Sequence, residues 1–168
     1  MRTIAIIASY DMGWNQRATG RIYDSLSGHG FLIGCRSGKV IALGVRSKKC
    51  AKCTAANKRN TTVQPHFCTV NHEGPSGSME AKMALDLTVD LHAKFNGRIH
   101  LGKIVSDDDS TMRSLLKHKA VHPKGKLPCD VPQPVFLADP SHRIKVMAKP
   151  FFKMVVKSKD PTQPKQKQ

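Results

Sequence analysis

The pattern of apolar and polar positions along the chain predicts a mixed α/β protein. Three short apolar stretches come first, and Arg36-Ser37-Gly38 separates the second from the third in the manner of a hairpin turn. We therefore expect three antiparallel strands, at Arg2–Tyr10, Gly28–Cys35 and Lys39–Arg46. A polar stretch at residues 15–27 is expected to form the loop between the first two strands.

A helical repeat begins at Ser78, where apolar residues recur at four-residue steps. They are Met79, Met83, Leu87, Leu91 and Phe95. This spacing places them on one helical face, which is most simply a core-facing stripe. Ser78 is expected to cap the helix, Glu80 suits the positive end of its first turn, and Asn96-Gly97 is expected to end it.

Shorter elements are predicted in the rest of the chain. They are a strand at Arg98–Val105, a helix at Ser110–His118, a loop at Pro123–Pro134, a strand at Val135–Ala138 and a helix at Ser141–Val156. Pro150 is expected to kink or end the last helix. Residues 157–168 are rich in Lys, Pro and Gln and are predicted to be a disordered basic tail. The expected organisation is one domain at residues 1–156 with an insertion at residues 48–77.

Charge narrows the choice of partner. The 168 residues include 28 Lys and Arg but only 12 Asp and Glu, which gives a formal net charge of +16. This excess favours a polyanion such as nucleic acid, because each basic residue that neutralises a phosphate releases counterions. No apolar run approaches the ~20 residues that span a bilayer, so no membrane association is expected. The first residues show no signal-peptide pattern, and we expect an intracellular, nuclear protein.

The predicted insertion is polar, has no clear period and contains a cluster of cysteine and histidine residues. The pattern Cys50-x2-Cys53-x12-His66-x-Cys68 supplies four donors suited to a tetrahedral Zn²⁺ ion, with His72 as a spare. A loop with free cysteines and chance histidines is the alternative. Zinc is favoured because the insertion otherwise lacks a core.

Acidic residues follow two of the predicted strands. If Arg98–Val105 lies parallel to Arg2–Tyr10 through a right-handed crossover, Asp11 and either Asp107 or Asp109 meet at one edge of the sheet. Converging carboxylates suit Mg²⁺ or Mn²⁺, and two such ions can promote phosphodiester cleavage. Each Asp can equally be a turn former or a helix cap, and Asp109 could simply start the helix that follows it.

Basic residues surround the Cys/His cluster and form a candidate DNA-facing patch. They are Lys48, Lys49, Lys52, Lys58 and Arg59. A solvated charged face explains each of them equally well. Farther along the chain, Arg143 could contact phosphate or pair with Asp139.

Six blocks within residues 3–145 stand in a specific order. They are Ser9–Trp14, Tyr23–His29, Ile33–Lys39, Lys48–Cys53, Ser78–Ala81 and Asp107–Thr111. In this order they resemble the catalytic region of Mutator-like transposases. The resemblance implies a ribonuclease-H-like fold and the cutting and joining of DNA, in transposition and recombination, by divalent metal held on three carboxylates.

By this resemblance, Asp11 is the first carboxylate, and Asp107 or Asp109 is the second. Members of the family often have Gly in place of Asp108, which leaves the choice between the two open. The third carboxylate should be a Glu in a later helix, but no Glu follows Glu80. Asp139 offers a substitute, although its Asp-Pro-Ser-His-Arg setting is more typical of a structural or phosphate-facing position. The chain is therefore expected to be the front part of a catalytic domain.

Two main hypotheses follow. The first is a DNA-binding fragment of a transposase catalytic domain, whose complete parent enzyme performs metal-dependent cleavage and strand transfer. The second is a non-catalytic, zinc-stabilised nucleic-acid-binding protein of transposase descent. A third, a basic ribosome- or chromatin-associated domain, would hold no metal at its Asp cluster. Whether the chain is itself an enzyme and whether it forms a homo-oligomer stay open, and no small-molecule substrate is expected.

Overall fold

The computed structural model describes residues 3–16, 25–107 and 109–157, with side chains up to residue 150. Its strands are β1 (Ile4–Trp14), β2 (Ser27–Gly34), β3 (Val40–Ser47), β4 (Ile99–Ser106) and β5 (Val135–Ala138). Its helices are α1 (Ala51–Arg59), α2 (Ser78–Lys94), α3 (Ser110–Leu115) and α4 (Pro140–Lys157). Asp108 and the predicted tail from residue 158 onward lie outside the described residues, as does most of the predicted loop at residues 15–27.

The strands form one mixed sheet in the order β3-β2-β1-β4-β5. The first three strands are antiparallel neighbours, and β4 and β5 join on the other side of β1, parallel to it. The chain crosses from β3 to β4 through α2, so that strands distant in sequence become neighbours. These directions and this order are those of a ribonuclease-H-like fold and confirm the predicted fold class.

The core lies between the sheet and the helix α2. Alternate residues of β1 point into it, and the apolar stripe of α2 packs against them, which confirms the predicted helical face. Two glycines let the helix approach closely, because a Cβ at Gly30 or Gly44 would lie within 2.6 Å of Met83. Met83 therefore fills a notch in β2 and β3 that only glycine leaves open.

The first strand is longer than predicted. It runs on to Trp14, and Asp11 pairs with Phe31 inside the antiparallel ladder instead of ending the strand. The parallel ladder with β4, by contrast, stops at the pair Ser9–Val105. Asp11 therefore lies just past the end of one ladder and within another, because β2 continues to pair where β4 has turned away.

The segment between β3 and α2, residues 48–77, contains the helix α1, which the sequence pattern did not predict. Its nine residues bury none of their side chains, so the apolar period that marks a packed helix is missing. Cys50 occupies the N-cap position, and Asn60 ends the helix in a left-handed conformation at φ 50°. We refer to residues 48–77 as the Cys/His segment.

Two predicted helix boundaries were wrong, one at the start of α2 and one at the end of α3. Ser78 is not the cap of α2, because Gly77 holds that position and the Ser78 hydroxyl donates to the Pro75 carbonyl. Asp109 rather than Ser110 caps α3, which ends at Leu115. The predicted helix at Ser141–Val156 is confirmed as α4, and Pro150 lies inside it and does not end it. In the described part of the chain, no helix is both long and apolar enough to cross a membrane.

Candidate functional site

The carboxyl edge of the sheet brings together acidic residues from neighbouring strands. Asp11 and Asp107 each follow the last parallel pair, Ser9–Val105, by two residues. Because adjacent strands lie ~4.8 Å apart, the two side chains leave the sheet as neighbours. Both are exposed and line one cleft of about 520 Å³. The predicted parallel arrangement of the two Asp-bearing strands is thus confirmed.

The start of α4 closes the other side of this cleft. The His142 Nδ1 atom lies 3.2 Å from the Asp107 Oδ1 atom, and Lys145 lines the cleft beside it. Asp139 also faces the cleft, but its Oδ1 atom accepts a hydrogen bond from the Ser141 backbone N–H at 2.9 Å. Asp139 therefore orders the first turn of α4, a structural duty that its sequence setting suggested.

Asp107 and Asp109 differ in what their carboxylates contact. Asp109 accepts hydrogen bonds from the backbone N–H groups of Thr111 and Met112, at 2.8 and 3.3 Å, and so caps α3. Of the two roles considered for Asp109, its contacts are therefore those of a residue that starts a helix. The exposed Asp107 side chain faces His142 and the cleft.

Glu80 belongs to the same edge, and sequence reasoning treated it only as a helix-start residue. Since α2 begins after the carboxyl end of β3 and finishes before the amino end of β4, its first turn lies at the acidic edge. Burial, together with the negative charges of Asp109, Asp107 and Asp11, raises the pKa of Glu80 to about 7. Glu80 thus shares an electrostatic environment with the predicted site.

Tyr10 fixes the position of this glutamate. Its hydroxyl donates a 2.8 Å hydrogen bond to the Glu80 carbonyl, and burial raises the pKa of Tyr10, which keeps the phenol protonated as a donor. Tyr10 precedes Asp11 directly, so one strand residue positions the helix while its neighbour supplies a carboxylate. The position of Glu80 in the block Ser78–Ala81, at the start of a crossover helix, was the sequence signal that could have found it.

The Cys/His segment brings its four predicted donors together. The ligand atoms of Cys50, Cys53, His66 and Cys68 all lie within 4.8 Å of one another, so the group could hold a metal ion. The His66 Nε2 atom is 3.2 Å from the Cys50 sulfur and 3.5 Å from the Cys53 sulfur. The Cys53 and Cys68 sulfurs are 3.8 Å apart, close to the ~3.8 Å expected around a tetrahedral ion with Zn–S bonds of ~2.3 Å.

The surroundings of this group favour a cation. His66 Nδ1 lies 2.9 Å from the Gln64 carbonyl, which turns Nε2 toward the sulfurs. Hydrogen bonds from the Cys53 and Thr69 backbones lower the pKa of Cys50 to about 5. Burial, together with the neighbouring sulfurs, raises the pKa of Cys53 to about 11. Sulfurs that disfavour each other's ionisation are stabilised as thiolates when a divalent ion lies between them. His72, the predicted spare, is buried and points to Ser78 instead.

Among the described residues, no three acidic side chains form a group with ligand atoms as close as those of the Cys/His group. The predicted basic contacts also separate: Lys49 and Lys52 are exposed near the Cys/His group, whereas Arg143 lies on α4 at the opposite end of the edge. Lys48 is half-buried, with its Nζ 3.5 Å from the Ser76 hydroxyl.

Comparison with protein families gives a match over nearly the whole chain. The family model described as Mutator-like transposase matches residues 2–168. The matched range includes the carboxylates of the acidic edge and all four donors of the Cys/His group. Neither the curated proteins nor the solved structures include a match to the chain.

Proposed function

The chain belongs to the Mutator-like transposase family, and from this premise we propose that it binds DNA and that its acidic edge is the metal site for phosphodiester cleavage and strand transfer in the complete parent enzyme. The observation that carries the proposal is the adjacency of Asp11 and Asp107 at the carboxyl edge of two parallel strands. The net charge of +16 supports a polyanionic substrate.

We assign the metal-binding carboxylates to Asp11, Asp107 and Glu80, with Asp109 as the supporting helix cap. Carboxylate oxygens are the donors that Mg²⁺ and Mn²⁺ prefer, so the residue types fit these ions. The raised pKa of Glu80 also fits, because a divalent cation would offset the crowding of negative charge around it. Glu80 thus provides a third carboxylate although no Glu follows it in the sequence.

Each residue of the cleft has a distinct part in this proposal. Asp11, Asp107 and Glu80 would hold the metal, which would supply activation of the attacking water or hydroxyl and stabilisation of the leaving oxygen. His142 holds the Asp107 carboxylate in place from α4, and Asp139 orders the turn that carries His142. Lys145, and Arg143 on the same helix, supply positive charge for the DNA backbone on the side of the cleft away from the Cys/His segment.

For the Cys/His segment, we propose a structural Zn²⁺ ion held by Cys50, Cys53, His66 and Cys68. The set offers four protein donors, as closed structural zinc sites do. Because α1 buries no side chain, the ion would replace the missing core of an insertion in a domain at residues 1–156. Lys48, Lys49 and Lys52 would then face DNA from a rigid support, and the working location of such a protein is the nucleus.

A non-catalytic, zinc-stabilised nucleic-acid-binding protein is the second candidate function. It is favoured by the contrast between the two donor sets, since in the described residues only the Cys/His atoms are already close together. Such a protein would keep zinc and DNA binding while lacking cleavage.

Nicking of supercoiled DNA separates the two functions. The purified chain should nick DNA when Mn²⁺ is added, and Asp11→Asn should abolish nicking while leaving zinc content and DNA binding unchanged. Asp90→Asn, an exposed change on α2, is the matched control and should nick normally. Nicking that survives Asp11→Asn would show the assignment to be wrong. DNA binding without nicking by the wild-type chain would establish the second function.

A further inference from the structure

Phe67 is unusual in its exposure. It lies between the donors His66 and Cys68, and its exposure is 92%, whereas no other large apolar side chain in the described part of the chain exceeds 66%. An aromatic ring that stays in water gives up the free energy that burial would provide. Such exposure marks a contact surface when the surrounding backbone holds the ring outward.

The backbone on both sides of Phe67 is fixed. His66 and Cys68 direct their side chains to the same cluster, with the Cys53 sulfur 3.5 Å from the His66 ring and 3.8 Å from the Cys68 sulfur. One residue later, the Thr69 hydroxyl donates to the Lys49 carbonyl at 2.8 Å. Since its two neighbours turn inward, the Phe67 ring cannot turn inward as well without opening the group.

The charge around the ring selects the kind of partner. Residues 48–72 contain five basic residues and no acidic residue. Three thiolates and one Zn²⁺ ion would leave the metal group with a single negative charge, so the segment would stay positive overall. Lys52 and Arg59 line one cleft with His66, the residue that precedes Phe67. A polyanion that also presents flat apolar surfaces is complementary to this combination, and nucleic acid bases are such surfaces.

The Cys/His segment also lies at the correct edge of the sheet. Because β3 and β1 are both antiparallel to β2, they run in the same direction, and the segment follows the carboxyl end of β3 at Ser47. Two strand spacings, about 10 Å, separate β3 from β1 within the sheet. DNA held at the acidic edge would therefore extend along the side from which the segment projects.

We propose that Phe67 is a base-stacking residue, which the metal-held loop presents to an unpaired or unstacked base of DNA. The inference takes DNA as the partner from the proposed function, but it concerns a surface separate from the acidic edge. Lys52 and Arg59 would contact the phosphates that flank the stacked base. The contact favours single-stranded or distorted DNA, because a base in an intact duplex has no free face.

Binding of the full chain to two DNA forms tests the proposal. Fluorescence anisotropy without added Mg²⁺ or Mn²⁺, and with zinc content verified, would compare a 20-nucleotide single strand with the blunt duplex of the same sequence. Phe67→Ala should weaken single-strand binding about tenfold, the size of one base–aromatic stack, and change duplex binding by less than about twofold. Phe67→Trp should bind the single strand at least as well as the wild type. Val70→Ala, which removes another exposed apolar side chain of the segment, is the control and should have no effect.

A spectroscopic readout makes the result independent of affinity. A 2-aminopurine base in the single strand should be quenched by the wild-type chain and much less by Phe67→Leu, which keeps an apolar side chain but has no ring. Unchanged quenching, or equal loss of single-strand and duplex binding, would overturn the proposal. The proposal would also be overturned if Phe67→Ala left DNA binding unchanged but abolished a dimer in sedimentation, because the ring would then serve self-association. In the Asp11→Asn background, Phe67→Ala should weaken single-strand binding by the same factor as in the wild type. A chain that fails to nick DNA but keeps this effect would refute only the proposed acidic site.

Discussion

The Cys/His group and the carboxylates of the acidic edge are built in opposite ways. Cys50, Cys53, His66 and Cys68 come from one short segment, and their ligand atoms already lie within 4.8 Å of one another. Asp11, Glu80 and Asp107 come from two strands and a helix that the chain topology makes neighbours. The first set is local and depends little on the sheet, whereas the second exists only because the sheet is folded.

This difference has an energetic counterpart. The helix α1 buries none of its residues, so the Cys/His segment has little apolar packing of its own. The acidic edge rests on a packed core to which both β1 and α2 contribute. We therefore expect metal to stabilise the structure of the segment, and metal at the acidic edge to serve chemistry on a fold that is stable without it.

Zinc removal should have the largest effect and should be confined to one region. In the double variant Cys50→Ser/Cys53→Ser, about one equivalent of bound zinc should be lost, because two of four ligands are gone. Amides of α1 should then lose most of their protection in hydrogen exchange, while those of β1 should stay protected. Cys129→Ser, an exposed cysteine far from the group in sequence, is the control. A fully protected α1 without zinc would remove the contrast between the two regions.

The next effect separates two members of the aspartate triplet. Asp107→Asn should lower Mn²⁺-dependent nicking by about 100-fold or more, the scale of losing a group that acts on transition-state charge. Asp109→Asn should change it only a few-fold, because Asn caps a helix nearly as well as Asp. Initial rates on supercoiled DNA measure both. A larger loss in Asp109→Asn would make Asp109, and not Asp107, the metal ligand.

Glu80 makes the acidic edge sensitive to pH in the absence of divalent metal. Its pKa is raised from 4.5 to about 7 by burial and neighbouring carboxylates, so folding favours the protonated form. This stabilisation is fully present below pH ~4.5 and is lost as the pH rises through 7. Glu80→Gln should therefore exceed the wild type in free energy of unfolding by about 1 kcal/mol at pH 8, a value discounted for solvent screening, and match it at pH 4. Urea unfolding at both pH values measures the difference, and a constant difference would contradict the assignment.

A stability effect of similar size is expected at the contact between the two regions. The Asn71 side chain accepts a hydrogen bond from the Ser47 N–H at 2.7 Å and donates one to the Val45 carbonyl at 2.8 Å, which ties the Cys/His segment to β3. Asn71→Ala should lower the free energy of unfolding by only about 1 kcal/mol, because both hydrogen bonds are exposed to solvent and water can replace them. Thermal unfolding relative to the exposed Asn57→Ala measures it. An equal effect of the two changes would mean that this tie contributes nothing.

Sequence patterns predicted the parts of the molecule that local rules determine. Two hairpin strands and the stripe of α2 follow from apolar periodicity, and the Cys/His group follows from ligand spacing within one segment. The helix α1 escaped prediction because none of its side chains is buried, so its sequence carries no apolar period. The pattern of a helix reports its burial more than its existence.

The acidic edge was predicted only in part, because its geometry arises from tertiary contacts. Parallel pairing of the two Asp-bearing strands could be inferred from the order of elements, but the extension of β1 past Asp11 depends on where β2 and β4 stop pairing. Likewise, the capping role of Asp109 depends on the start of α3. The nearness of Glu80 follows from the direction of α2 across the sheet, which no local pattern contains.

The notch at Gly30 and Gly44, which receives Met83, determines how closely α2 packs against the sheet. Glu80 lies three residues, about 4.5 Å along the helix axis, before Met83. The depth to which α2 packs against β2 and β3 therefore also determines how far Glu80 reaches toward Asp11 and Asp107. The lack of a side chain at Gly30 and Gly44 thereby influences the spacing of the carboxylates for which we propose metal binding. Gly44→Ala would therefore shift α2, and Glu80 with it, from a position outside the proposed metal and DNA sites.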